Sequence, residues 1–100
     1  MAQSSGGIIN TTDVVAKTAA GASIRNYVTG IQLQNVNATA TEFVIKDGAT
    51  VMWRCYLPAS MVTPIDVEFA IPLRGTANTA VNIACITTAA QVYANVQGTI

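Results

Sequence analysis

Apolar and polar positions alternate with a period of two along several short stretches of the chain. Within residues 24–35, Ile31 and Leu33 fall on one face, and Gln32 and Gln34 fall on the other. Successive side chains of a strand point to opposite sides of a sheet, so this pattern indicates a half-buried strand. The same period predicts further strands over residues 42–46, 49–57 and 65–73. Residues 80–87, which are nearly apolar on both faces, and residues 91–97 are also predicted to be strands.

The segment Lys46-Asp47-Gly48 separates two of these strands and predicts a β-hairpin. A two-residue loop of Asp47 and Gly48 would pair Phe43 with Met52 and would divide the apolar residues between the two faces. A three-residue loop, with Gly48 in the left-handed region and a bulge beside it, pairs Phe43 with Val51 instead.

We favour the three-residue loop because it gathers the apolar side chains of the hairpin on one face: Phe43, Ile45, Val51, Trp53 and Cys55. The opposite face then carries Glu42, Val44, Met52 and Arg54. Glu42 and Arg54 lie near enough in this arrangement to form a cross-strand ion pair. Pro72, on the outward face of residues 65–73, predicts an edge strand or a strand end, because proline gives no N–H to a neighbouring strand.

Residues 1–23 are small and polar, and their apolar residues come in short, spaced pairs. They predict an extended N-terminal arm, which could be disordered or could lie as a strand on the body or on a neighbouring copy. Residues 24–100 then form the body. Short strands joined by turns, with no segment of helical period, predict an all-β fold: an antiparallel β-sandwich or jelly-roll-like barrel of six to eight strands.

Charge is scarce in this chain. Of its residues, 51% are apolar and 10% are charged, and the formal net charge is zero. A surface so poor in charge favours association, which predicts a partner surface. The five basic residues are scattered singly, so binding to nucleic acid is not expected. No stretch is long and apolar enough for a membrane span and no secretory signal is visible, so we expect no membrane association and a cytosolic origin.

The chain lacks the side chains that most catalytic sites require. It has no histidine, which is the commonest general base and metal ligand. Asp66 and Glu68 share one strand face, and we interpret them as solvent-exposed charges. Cys55 and Cys85 are interpreted as two small buried residues. We therefore expect no enzyme activity, no catalytic residue, no cofactor and no metal.

Trp53 has two possible roles. It could pack in the core on the side of Phe43, which its parity favours, or it could stack on a sugar together with Tyr56 or Tyr93. The second role would make the chain a carbohydrate- or receptor-binding module.

Several runs within residues 26–97 are distinctive: Asn-Tyr-Val-Thr-Gly-Ile-Gln-Leu-Gln-Asn, Thr-Glu-Phe-Val-Ile-Lys-Asp-Gly, Trp-Arg-Cys-Tyr-Leu-Pro and Pro-Leu-Arg-Gly-Thr-Ala-Asn-Thr-Ala. In these runs the chain resembles small virion proteins of tailed bacteriophages, and most of all capsid decoration (cement) proteins. The resemblance implies a sandwich bound to the outside of a shell, in a virion assembled in the host cytoplasm. A tail or fibre component that binds a carbohydrate or receptor is the alternative.

The expected partners are copies of this chain and the major capsid protein or another virion protein. Spaced apolar anchors in the arm and apolar or charged side chains on the outward face of the hairpin are the candidate interface residues: Ile8, Ile9, Val14, Val15, Val44, Met52 and Arg54.

Overall fold

The computed structural model describes residues 8–87 and 92–100. Within these ranges the chain contains eight β-strands and no helix. The strands are β1 (Ile8–Ile9), β2 (Val14–Lys17), β3 (Tyr27–Gln34), β4 (Thr41–Asp47), β5 (Thr50–Leu57), β6 (Ile65–Arg74), β7 (Val81–Cys85) and β8 (Val92–Thr99). Each strand predicted from the alternation is present, with its ends displaced by a few residues. Gln91, the predicted start of the last strand, lies outside the described residues.

The strands form two four-stranded antiparallel sheets. The first sheet has the order β1-β8-β3-β6 and the second has the order β2-β7-β4-β5. Buried side chains of both sheets meet in one hydrophobic core. The predicted all-β class and antiparallel sandwich are therefore confirmed. The fully buried core residues come mainly from β3, β4, β7 and β8: Val28, Ile31, Leu33, Phe43, Ile45, Val81, Ile83, Val92 and Val96.

The chain changes sheets at nearly every connection. Only β4 and β5 follow one another in the same sheet, and they are joined by the predicted hairpin. Two buried asparagines hold the loops at either end of β3. Asn26 donates from its amide to the carbonyls of Thr18 and Thr79, and Asn35 donates to those of Thr39 and Pro58. Such bonds satisfy carbonyls that no neighbouring strand reaches.

The first two strands arise from the segment predicted as an arm. β1 pairs with β8, and β2 pairs with β7, so this segment adds one edge strand to each sheet. Ile9 and Ala16 are buried in the core. The segment thus lies extended on the body, which is one of the three alternatives given above, and the sandwich begins before residue 24, the predicted boundary. Residues 1–7 of the predicted arm lie outside the described residues.

The hairpin is confirmed, but its predicted register is wrong. Asp47 pairs with Thr50, so the loop consists of Gly48 and Ala49. Gly48 has φ +61°, and only this first loop residue has a positive φ, as in a type II′ turn. Glycine adopts that conformation without a side-chain clash, which explains its position there.

A bulge at Met52 sets the remaining register of the hairpin. Lys46 pairs with Val51 but Ile45 pairs with Trp53, so Met52 is an extra residue on β5. Phe43 consequently faces Cys55, and neither register expected from the loop is found. Two residues next to the bulge lie on the side opposite to that predicted: Val51 is on the outward side, and Met52 packs against the core. Trp53 and Cys55 lie on the side of Phe43, and Arg54 lies on the side of Val44, as predicted.

β6 is an edge strand, as Pro72 predicts. Its register with β3 is interrupted in the middle: Val28 pairs with Leu73 and Gly30 with Glu68. Four residues of β6 therefore stand opposite one residue of β3, and the strand swings away from the sheet there. Ile71, whose parity predicts a place in the core, is 87% exposed as a result.

Candidate interaction surfaces

The described residues form no cluster with metal-binding geometry. In residues 8–87 and 92–100, no group of three or more histidine, cysteine or acidic side chains is placed to share a metal ion. Asp66 and Glu68 are exposed on the edge strand β6 and form no ion pair with the rest of the described chain. The same ranges contain no helical segment with the length and apolar character that a membrane span requires.

Cys55 and Cys85 are both free thiols. They flank Phe43 from opposite sides, on β5 and β7. Two strand spacings separate their backbones by about 9.5 Å, which is beyond the roughly 7 Å that a disulfide can bridge. Burial raises the pKa of the Cys85 thiol to about 11, and it also raises the pKa of Cys55. Both residues are therefore protonated near neutral pH, which leaves them poorly nucleophilic.

The three aromatic side chains considered for sugar binding do not converge. Trp53 is half-buried at the margin of the core, where its ring meets that of Phe69 edge to face, with centroids 5.4 Å apart. Tyr56 is 71% exposed on the outward side of the second sheet. Tyr93 is exposed on the first sheet, whose outward side points the opposite way. No shared stacking platform is formed by them.

The outward side of the second sheet is rich in apolar side chains, and we name it the apolar face. Val44 lies between Ala84 of β7 and Arg54 of β5, and both aliphatic residues are buried although they face away from the core. The face is extended by apolar side chains that are wholly or partly exposed: Val15, Val51, Tyr56 and Ile86. Sequence parity alone predicts an outward Val44 but not its burial.

The charges beside the apolar face neutralise one another. Arg54 donates to Glu42 at 2.8 Å, which confirms the predicted ion pair, and Lys46 donates to Asp13 at the same distance. These are the two ion pairs found among the described residues. The face therefore carries apolar side chains and no net charge from these four residues, which favours contact with another macromolecule.

The outward side of the first sheet is different, and we name it the amide face. Its inner strands carry neutral amides on this side: Gln32, Asn95 and Gln97 are exposed, and Gln34 is half-buried and donates to the carbonyl of Met61 at 3.2 Å. Asn95 donates to the side-chain oxygen of Gln32 at 3.3 Å, across β8 and β3. Amides that bond to each other or to the backbone need no partner protein.

A third surface, which we name the open edge, lies where β5 and β6 bound the sandwich. Hydrophobic side chains there pack against the core while remaining partly exposed: Met52, Trp53, Cys55, Met61, Ile65, Val67, Phe69 and Leu73. The opposite margin, formed by β1 and β2, buries Ile9 and Ala16 completely. The core is therefore less protected from solvent on the β5–β6 side.

The structure separates the predicted interface residues into different environments. Val15, Val44 and Arg54 come together on the apolar face, although Val44 is 1% exposed. Ile9 is fully buried, and Val14 and Met52 are partly buried against the core. Ile9 and Val44 cannot make the direct partner contacts predicted for them, because this chain already covers both. Ile8 pairs with Tyr93 through the backbone.

No family model, curated protein or solved structure matches this chain.

Proposed function

We propose that this chain is a non-enzymatic structural protein of a tailed-phage virion, a capsid decoration protein that binds the outside of the shell and stabilises it. The observation that carries the proposal is the apolar face. Tyr56 and Ile86 are 71% and 51% exposed there, beside ion pairs that leave little net charge. A solvated monomer gains nothing from such a face, whereas a shell subunit can cover it.

The chemistry of the chain agrees with a structural role. Burial raises the pKa of both thiols, and no three histidine, cysteine or acidic side chains of the described part are placed to share a metal ion. Association through an apolar face needs shape and burial rather than reactive groups. The resemblance of residues 26–97 to decoration proteins points to the outer surface of a shell as the partner.

The test is a binding assay with undecorated shells of the phage that encodes the chain. Purified protein should co-sediment with the shells and raise the temperature at which they disassemble. Tyr56→Lys and Ile86→Lys should each weaken binding at least about tenfold, because each places a charge in the contact. Tyr93→Lys is the matched control, since it changes an exposed tyrosine on the amide face and should bind normally.

Three outcomes would contradict the proposal. The protein could fail to bind shells, or Tyr93→Lys could abolish binding while the variants of the apolar face retain it. Binding of the chain to isolated tails, together with a specific signal on a glycan array, would favour the alternative of a receptor-binding tail component.

A further inference from the structure

Four strands end the two sheets, and three of their outer margins are protected against pairing with another chain. β1 has two residues, and β2 has four with a register shift after Val15. β6 is interrupted opposite β3 and carries exposed Asp66, Glu68 and Pro72. Short, irregular, charged or proline-containing strands are the usual means by which proteins keep a sheet edge from pairing.

β5 lacks these protections over residues 53–57. Five successive residue pairs join this segment to β4 without a shift, from Ile45 with Trp53 to Thr41 with Leu57. In the described chain no strand pairs with its outer margin, and its main chain makes no main-chain hydrogen bond outside the ladder with β4. Such a margin is a template for a further antiparallel strand.

The loop that follows β5 leaves this margin open. Ser60 and Met61 donate their N–H groups to the carbonyls of Asn37 and Asn35, which lie in the loop between β3 and β4. The chain therefore crosses the end of the sandwich toward the first sheet, and it does not run along the outside of β5.

A second copy of β5 fits this margin in a register that the sequence defines. A two-fold axis perpendicular to the sheet keeps the cores of both copies on the same side, so each residue must face one of the same parity. The bulge at Met52 and the missing N–H of Pro58 confine the regular ladder to the residues between them. Cys55 is the centre of that segment, so it faces Cys55 of the other copy.

The neighbouring registers of the same parity are less favourable. A pair centred on Arg54 places two like charges opposite each other and extends the ladder across the bulge. A pair centred on Tyr56 brings Pro58 opposite Arg54 and leaves three residue pairs.

The side chains that meet in the register centred on Cys55 are complementary. Arg54 of one copy lies opposite Tyr56 of the other, and both are exposed on the outward side of the second sheet. A guanidinium group packs favourably on a tyrosine ring, and this contact occurs twice by symmetry. On the inner side, the second copy would cover Trp53 and Cys55, which are partly exposed at the open edge.

We propose that two copies of this chain associate edge to edge through residues 53–57 of β5, antiparallel and centred on Cys55. The two second sheets then form one eight-stranded sheet, with both apolar faces on the same side. The proposal does not rest on the proposed role in a virion, because the association needs no other protein.

The native cysteine is the first probe of this arrangement. Facing residues of antiparallel strands have Cα atoms about 4.5 or 5.5 Å apart, and a disulfide can bridge either separation. Copper(II)–phenanthroline at mildly alkaline pH should therefore crosslink the full chain in the absence of shells. Each pair of Cys55 thiols releases two protons and gives two electrons to copper(II). Cys85→Ala should still crosslink and Cys55→Ser should not, because Cys85 is buried.

Two variants in a Cys55→Ser background test the register itself. Arg54→Cys and Tyr56→Cys should each give little crosslinked dimer alone, whereas their mixture should give the heterodimer, because residue 54 of one copy faces residue 56 of the other. Efficient crosslinking of Arg54→Cys or of Tyr56→Cys with itself would contradict the register centred on Cys55.

Sedimentation equilibrium under reducing conditions measures the association without a disulfide. Tyr56→Ala should raise the dissociation constant at least about fivefold, because it removes both contacts with arginine. Ile86→Lys is the matched control: it lies beside β7 on the apolar face, with β4 between it and β5, and should associate like wild type. The proposal is overturned if wild-type protein stays monomeric up to the millimolar range, or if Ile86→Lys weakens its association and Tyr56→Ala does not.

Discussion

The amide face and the apolar face are each built on a central antiparallel pair of alternating strands, yet their outward side chains differ in polarity and in burial. On the amide face, Gln32 and Asn95 reach solvent and hydrogen-bond across the strands. On the apolar face, Val44 and Ala84 are 1% and 2% exposed. Val44 lies between Glu42 and Lys46 on its own strand and opposite Arg54, and the methylene stems of such side chains shield apolar neighbours.

The outward side of the second sheet therefore buries two aliphatic side chains, and the ion pair of Arg54 with Glu42 lies beside Val44. The second sheet thus has buried apolar side chains on both of its sides. The first sheet has them on the side that faces the core and carries amides on its outward side. This asymmetry is why we assign the shell contact to the apolar face.

The strongest test of this comparison introduces a charge at the centre of each face. Val44→Lys should lower the free energy of unfolding by about 3 kcal/mol or more, because the ammonium group would replace a buried aliphatic side chain. Gln32→Lys, at an exposed position of the other sheet, should change it by no more than about 0.5 kcal/mol. Urea unfolding measures both, and equal effects would show that the two faces do not differ in burial.

The second sheet also differs from the first in holding both cysteines. The pKa of Cys85 is about 11 in the folded chain, against 9.0 for an unperturbed thiol. A raised pKa favours the protonated folded state, so its stabilising effect is complete below pH 9 and is lost as the pH rises through 11. We expect wild-type protein to lose about 2 kcal/mol more stability across this range than Cys85→Ala does.

The slope with pH decides this prediction, not the absolute stability, because Cys85→Ala also removes core volume. Urea unfolding at a series of alkaline pH values supplies the slope, and the tyrosines common to both proteins cancel in the difference. Parallel curves for the two proteins would mean that the Cys85 thiolate is tolerated in the folded sheet.

The smallest expected effect compares a paired acid with an unpaired one. Glu42→Gln breaks the ion pair with Arg54 and should lower the free energy of unfolding by at most about 1 kcal/mol. Glu68→Gln removes an exposed carboxylate that has no partner in the described chain, and it should leave stability unchanged within error. Thermal melts at low salt are suitable, since added salt should reduce the first effect. A larger loss of stability for Glu68→Gln than for Glu42→Gln would contradict the view that Glu42 is the paired acid and Glu68 the unpaired one.

Local sequence patterns predicted much of this fold. Alternation located the strands, Gly48 located the hairpin turn, Pro72 marked an edge, and opposite charge paired Glu42 with Arg54. Each of these follows from neighbours in the chain or from one turn. The open edge was not predicted, because it depends on which strands end up outermost in the two sheets.

The predictions that failed concern the offset between strands. The bulge at Met52 shifts the hairpin register by one residue, and the excursion of β6 exposes Ile71. Period-two parity assumes an uninterrupted ladder, and the bulge moves Val51 and Met52 to the sides opposite those predicted while Trp53, Arg54 and Cys55 keep theirs. The sequences of β1 and β2 lack sustained alternation, so they did not predict strands. The positions of β1 and β2 are set by their pairing with β8 and β7.

Because β1 pairs with β8, the first sheet cannot be completed until β8 has been synthesised. Ile9 faces Val92, and β8 also supplies one neighbour of β3. During synthesis the ribosome delivers β1 first and β8 last, so β1 must wait for a partner more than eighty residues away. Such non-local pairings close slowly. A nascent chain that stops before residue 92 leaves β1 and β3 without their shared neighbour, so the first sheet cannot be completed before β8 has been synthesised.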